Sequence, residues 1–180
     1  MRKFGLGVVG IAVALLVGGT VVPVQGAAAA QVDEQLPYCA VEIFPLGTSE
    51  DSPAEAVCFA TEAEVAQFLD RMAQSRDAAR AVAASVVVGT VYKDANGAGG
   101  SLTFWGSSGC AGVTFGFPTL ASGWDNSVSA VRASNGCWAT AYAATNYGGS
   151  RLNCTPYCAS VGALNDAVKS LVFRPTGTLG

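Results

Sequence analysis

The side chains that usually carry out chemistry are scarce in this chain. It has 180 residues and no histidine. That removes Ser–His–Asp and Cys–His nucleophile activation, imidazole metal ligands and the commonest general base near neutral pH. There is no Gly-x-Ser-x-Gly elbow and no Ser-x-x-Lys. No glycine directly precedes a lysine, so the phosphate-cradling Gly-x4-Gly-Lys-Ser/Thr loop is absent. Two carboxylates alone can run a glycosidase, but from residue 86 onward the only acids are Asp94, Asp125 and Asp166. Asp125 and Asp166 occupy matching places in two similar stretches. Such symmetry suits a shared structural role better than an acid/base pair held at different pKa values. The expectation is a protein that is not an enzyme. One constellation of hard oxygen donors remains: Asp125-Asn126-Ser127-Val128-Ser129-Ala130 and Asn165-Asp166-Ala167-Val168-Lys169-Ser170. By composition alone each is a turn before a strand, with Asp and Asn side chains capping backbone N–H groups.

The second chemical resource is sulfur. The cysteines are Cys39, Cys58, Cys110, Cys137, Cys154 and Cys158, an even set of 6, as in exported proteins that fold in an oxidising compartment. Six cysteines allow 15 pairings, and composition does not choose among them. Proximity along the chain favours Cys39–Cys58, Cys110–Cys137 and Cys154–Cys158. A structural zinc site is disfavoured, because no Cys-x2-Cys pair and no histidine is present. Export also fits the start of the chain. Arg2 and Lys3 precede an uncharged, mostly apolar run from Phe4 to Val22, Pro23 breaks it, and Ala27 to Ala30 are small. This predicts a secretory signal over residues 1–30 and an extracellular protein. A membrane span is the competing reading of that run; its five glycines (Gly5, Gly7, Gly10, Gly18, Gly19) and the lack of a following positive charge count against it.

Whatever positions these groups is a unit that occurs twice. Tyr92-Lys93-Asp94-Ala95-Asn96-Gly97-Ala98-Gly99-Gly100-Ser101-Leu102 returns as Tyr142-Ala143-Ala144-Thr145-Asn146-Tyr147-Gly148-Gly149-Ser150-Arg151-Leu152, offset by 50. Trp124-Asp125-Asn126 to Val131 returns as Leu164-Asn165-Asp166 to Leu171, offset by 40. The first copy therefore carries about ten extra residues, placed around Cys110 to Phe117. Doubling at this length means two supersecondary units that bury a face against each other. Short apolar runs cut by glycines spaced like turn punctuation suggest a sandwich. Trp105, Phe115, Phe117, Trp124 and Trp138 are the candidate core bulk.

Tyr-x4-Tyr-x-Gly followed by an Asn/Asp pair resembles the two Greek-key motifs of the βγ-crystallin superfamily. The closest likeness is to its secreted bacterial branch, which includes a single-domain metalloproteinase inhibitor. The resemblance covers roughly Val86 to Pro175. It implies an all-β fold, with two Greek-key motifs forming a βγ-crystallin-like sandwich, and it places Gly99 and Gly149 where positive φ is needed. Gly97 departs from the pattern, standing where the second copy keeps the aromatic Tyr147. The resemblance also implies calcium. A carbonyl at the third position and a hydroxyl at the fifth come from one motif, and an acid or amide from the other. Calcium takes several such oxygens in a loose cage. One site keeps its parts: the Ser127 carbonyl, the Ser129 hydroxyl, and Asp166 or Asn165. The other, beside Asp125 and Asn126, has Lys169 where the hydroxyl belongs, and an ammonium has no lone pair to give. The expectation is one weak calcium site and one disabled one. Two functions follow. One is a non-enzymatic structural or binding protein with an optional calcium ion. The other, implied by the resemblance, is a proteinase inhibitor presenting Cys154-Thr155-Pro156-Tyr157-Cys158 as a clamped loop.

The segment before the doubled unit differs in character. Residues 31–85 hold ten acids and three bases, net −7; residues 86–180 hold three acids and five bases, net +2. No basic stripe marks a nucleic-acid surface. Gln31 to Pro37 is a lead-in, Cys39 to Phe44 and Val57 to Phe59 are short strands, and Thr61-Glu62-Ala63-Glu64 is a capping box opening a helix over about 61–84. Val65, Phe68, Leu69 and Met72 give that helix one apolar face. This acidic segment (31–85) is followed by the doubled domain (86–175) and a Pro/Gly/Thr tail (176–180) expected to be flexible. The expected partner is a protein, with a proteinase as one candidate, and the chain is expected to be a monomer that, once its signal is removed, meets no membrane.

Overall fold

The computed structural model describes residues 38–48, 55–79 and 85–180, with 76–79 described by backbone only. The predicted signal (1–30), the lead-in (31–37) and the last part of the predicted helix (80–84) lie outside the described residues. Those described all fall in one compact unit, Asp33–Gly180. Among them no helix is long and apolar enough to cross a membrane.

In chain order the elements are β1 (Tyr38–Glu42), β2 (Val57–Phe59), α1 (Glu62–Ala79), β3 (Val86–Asp94), β4 (Ala98–Gly106), β5 (Phe115–Phe117), β6 (Ala130–Ala133), β7 (Cys137–Tyr142), β8 (Arg151–Cys154), β9 (Tyr157–Cys158) and β10 (Ser170–Pro175). They form two sheets. The first runs β2-β1-β4-β3-β6-β9 and the second β5-β10-β7-β8. The doubled unit is visible in this order. β3, β4 and β6 of the first copy stay together, and its third strand, β5, crosses to pair with β10 of the second copy. β9 makes the reverse crossing and pairs with β6. Each copy lends one strand to the other's sheet, which is the Greek-key arrangement. The extra residues of the first copy lie where expected. Residues 107–114 separate β4 from β5, whereas residues 155–156 alone separate β8 from β9.

Strand alternation fills the space between the sheets. Leu102, Phe104, Phe115, Phe117, Val131, Leu171 and Phe173 are buried there, and the Phe104 ring meets Phe117 at 5.2 Å and Phe173 at 5.3 Å. Two tryptophans expected in this core are elsewhere. Trp138 is out of phase with the inward-facing Ala139 and Ala141 and is half-buried on the outer side of β7. Trp105 is out of phase with Phe104 and belongs to a second, smaller core.

That second core attaches the acidic segment. β1 adds to the edge of β4 in parallel register, and β2 pairs antiparallel with β1. α1 then lies over the sheet, packing Val65, Phe68, Leu69 and Met72 on Ala40, Trp105, Tyr38 and Phe59. Phe68 is 5.4 Å from Phe59 and 6.4 Å from Trp105. The contact is apolar. Glu62, Glu64 and Asp70 of the helix are exposed. The capping box is present: the Thr61 N–H donates to Glu64 Oε2 at 3.0 Å, and the Glu64 N–H donates to Thr61 Oγ1 at 3.3 Å. Thr61→Ala is expected to cost about 1 kcal/mol in denaturant unfolding, the usual loss of an N-cap.

The three disulfides join Cys39–Cys58, Cys110–Cys137 and Cys154–Cys158, the pairs that proximity favoured. The tail expected to be flexible is exposed over residues 176–179 and makes two hydrogen bonds to the domain. The Thr176 N–H donates to the Gly136 carbonyl at 3.0 Å, and the Gly180 N–H to Asn153 Oδ1 at 3.1 Å.

Candidate functional site

The two Asn/Asp stretches meet at the seam between the copies, and their hydrogen bonds come in matched pairs. The Asn126 N–H donates to the Val168 carbonyl at 3.0 Å, and the Asp166 N–H donates to the Val128 carbonyl at 3.2 Å. The Ser129 N–H reaches Tyr92 at 2.9 Å as the Lys169 N–H reaches Tyr142 at 2.8 Å. The Asn96 N–H reaches Ala159 at 2.7 Å as the Asn146 N–H reaches Pro118 at 2.8 Å. Asn126 and Asp166 are both left-handed, with φ of 56° and 54°, a conformation that Asn and Asp tolerate better than other side chains. Trp124 and Leu164, the repeat partners at the head of each stretch, are both buried, at 3% and 6% exposure. An approximate twofold therefore relates the halves.

This geometry brings together the two backbone segments that carry the predicted metal residues. The bond from Asp166 to Val128 brings the second stretch against the residue between Ser127 and Ser129. The donor set fits calcium in kind: hard oxygens, with a single carboxylate. Among the described residues no three or more His, Cys, Asp or Glu side chains are grouped so that they could hold a metal ion. The side chains are also engaged locally. Asn165 Nδ2 donates to Asp166 Oδ2 at 2.7 Å, Asn126 Nδ2 to Asp125 Oδ2 at 3.3 Å, and the Ser127 hydroxyl to the Gly123 carbonyl at 3.0 Å. None of the three is an Asp or Asn side chain capping a backbone N–H, the bond that turn chemistry alone anticipates: two join neighbouring side chains and one runs from a hydroxyl to a carbonyl.

The second candidate is the loop closed by Cys154–Cys158. Thr155 and Pro156 are exposed at its tip, while Tyr157 and Cys158 are half-buried. The Pro156 carbonyl accepts the Ala133 N–H at 2.7 Å. The Arg132 guanidinium stacks on the Tyr157 ring at 4.1 Å, a cation–π contact. The loop is thus held by β6 of the other copy as well as by its own disulfide. Sequence reading did not find Arg132. The register of β6 against β9, Arg132 opposite Tyr157, puts it there, and that register exists only in the folded chain. Tyr157 also answers the missing aromatic at Gly97. A Cβ built on Gly97 lies 3.5 Å from the Tyr157 hydroxyl and 3.7 Å from the Tyr92 ring, so the second copy's tyrosine covers the first copy's hairpin.

Two crossed Greek keys with left-handed residues at matching turns define a βγ-crystallin-like domain, as the doubled motif implied. Residues 91–155 match the family model described as Peptidase inhibitor family I36. Solved βγ-crystallin structures are similar in fold. The N-terminal domain of Protein S is 19% identical, covering 49% of this chain and 96% of that one with a TM-score of 0.40. A βγ-crystallin domain from Flavobacterium johnsoniae is 24% identical, covering 51% and 99% with a TM-score of 0.36. One from Clostridium beijerinckii is 20% identical, covering 48% and 97% with a TM-score of 0.39. No curated protein matches the chain.

Proposed function

We propose that this chain is a secreted, non-enzymatic βγ-crystallin-like protein that binds and blocks a peptidase through the loop Cys154–Cys158. The observation that carries this reading is the match of residues 91–155 to a peptidase inhibitor family, a span that stops at Thr155, the second residue of that loop. Three features of the loop support it. Its tip is exposed, its ends are covalently joined, and its backbone and aromatic side chain are fixed to β6. A loop already held in one conformation loses little entropy on binding, and that preorganisation favours tight association. The disulfides are compatible with an extracellular setting. Micromolar protein assayed against a panel of secreted metallo- and serine peptidases tests the reading. It expects inhibition of at least one; activity unchanged across the whole panel overturns it.

A structural role with one weak calcium site is the second reading, favoured by the paired seam. Ser127, Ser129 and Asp166 (or Asn165) would hold the ion. Calcium supplies charge neutralisation and a tie between the two copies when bound. A single carboxylate implies a dissociation constant on the order of 10⁻³ M, the weak end for extracellular modules. The expected result is a rise in melting temperature at several millimolar calcium, and a second binding event in calorimetry for Lys169→Ser. If neither the parent nor the variant responds, the seam is held by turn hydrogen bonds alone.

A further inference from the structure

The loop Cys154–Cys158 crosses from one sheet to the other, so its tip has two flanks. On the side of the first sheet stand Tyr157 and Arg132, which face each other across β9 and β6. Alternation puts both on the outer face, because their neighbours Cys158 and Val131 pack in the core between the sheets. Tyr157 is half-buried and Arg132 is exposed. The guanidinium lies over the Tyr157 ring at 4.1 Å, and no carboxylate among the described residues pairs with it. On the side of the second sheet stands Trp138. Cys154, the first residue of the loop, pairs with Ala139. Trp138 is the adjoining residue of β7, half-buried on its outer side. The other two tryptophans, Trp105 and Trp124, are each only 3% exposed. Between the flanks, Thr155 and Pro156 are exposed.

Trp, Tyr and Arg are the residue types that most often dominate the energy of a protein interface. Here all three border one covalently closed tip. We infer that this end of the sandwich enters the peptidase cleft as a wedge, with Thr155 and Pro156 leading, Trp138 against one wall and Arg132 facing a carboxylate on the other. The inference rests on the peptidase-blocking reading above and adds the partner's chemistry: a cleft with one apolar wall and one acidic wall. A guanidinium stacked on a ring is already ordered, so it loses little freedom when a carboxylate takes its planar fork. Such an exposed charge at the edge of an interface acts on association rate and salt dependence. If Arg132 did no more than brace Tyr157, its loss would loosen the loop and speed dissociation, with no dependence on salt.

The test uses the full-length chain and a secreted peptidase that it inhibits in the panel above. Labelling with 5-fluorotryptophan gives a ¹⁹F signal for each of the 3 tryptophans, and Trp138→Phe assigns the one at the loop. Saturating peptidase should move the Trp138 signal and leave those of Trp105 and Trp124 in place. Association rates are then measured by stopped flow at low and high sodium chloride. Arg132→Glu should associate roughly tenfold more slowly than the parent at low salt, and the difference should close at high salt. Arg132→Lys, which keeps the charge, should stay within about threefold of the parent. A Trp138 signal that does not move at saturation, or Arg132→Glu associating as fast as the parent at low salt, overturns the wedge while inhibition itself still stands. Failure to inhibit any peptidase of the panel overturns the peptidase reading, and the wedge with it.

Discussion

Ser170→Ala is expected to destabilise the domain by about 2–4 kcal/mol. Ser170 is fully buried. Its hydroxyl donates to the Ala144 carbonyl at 2.7 Å and accepts the Tyr147 N–H at 3.1 Å. It thereby clasps the second hairpin to β10. Removing it strands a donor and an acceptor in a part-buried setting, each costing about 1–3 kcal/mol. Tyr147 makes the clasp matter more. It is held at φ 62°, an unfavourable conformation for a bulky side chain, and its ring packs edge-on to Tyr142 at 6.0 Å. In the first copy the matching positions are Ala130 and Gly97. There the turn needs no clasp, since glycine adopts φ 75° without steric cost. Chemical denaturation of Ser170→Ala against the parent measures the clasp, and a loss below about 1 kcal/mol would show that the second hairpin does not depend on it.

Gly89→Ala is expected to cost about 3 kcal/mol or more, the upper end for overpacking a core. β3 has an irregularity between Val87 and Gly89, after which Gly89 pairs with Phe104 and Ala133. A methyl there runs into the Phe173 ring and lies 2.7 Å from the Arg132 carbonyl oxygen. Phe173 is fully buried against Phe104, so the ring has nowhere to go, and the carbonyl belongs to a paired strand. A melting temperature within a degree or two of the parent would mean the sheets can part at this point. Combining the change with Phe173→Leu should recover part of the loss.

The doubled fold was legible because its constraints are local. Asn96, Asn146, Gly99 and Gly149 sit where only certain residues tolerate positive φ, and the repeat prints them at fixed offsets. Thr61 and Glu64 announce the helix start for the same reason: cap and partner lie three residues apart. What was not legible depends on neighbours distant in sequence. Nothing near Trp105 shows that β1 will add to the edge of β4 and that α1 will cover the outer face. The polar, glycine-rich tail looked loose in isolation, and its hydrogen bonds go to Gly136 in the turn before β7 and to Asn153 on β8. The candidate site divides the same way. The Asn/Asp stretches and the clamped cysteines were visible as motifs. Arg132 beneath Tyr157, and the clasp at Ser170, exist only once β6 meets β9 and β10 meets the second hairpin.

The central claim is that the exposed tip at Thr155 and Pro156 is what a peptidase meets. The most direct measurement is the inhibition constant of the parent and of Thr155→Asp against the same sensitive peptidase, with melting temperatures recorded alongside. The account predicts inhibition weakened at least about tenfold, equivalent to roughly 1.4 kcal/mol of binding, at an unchanged melting temperature. Inhibition that survives Thr155→Asp undiminished would contradict it.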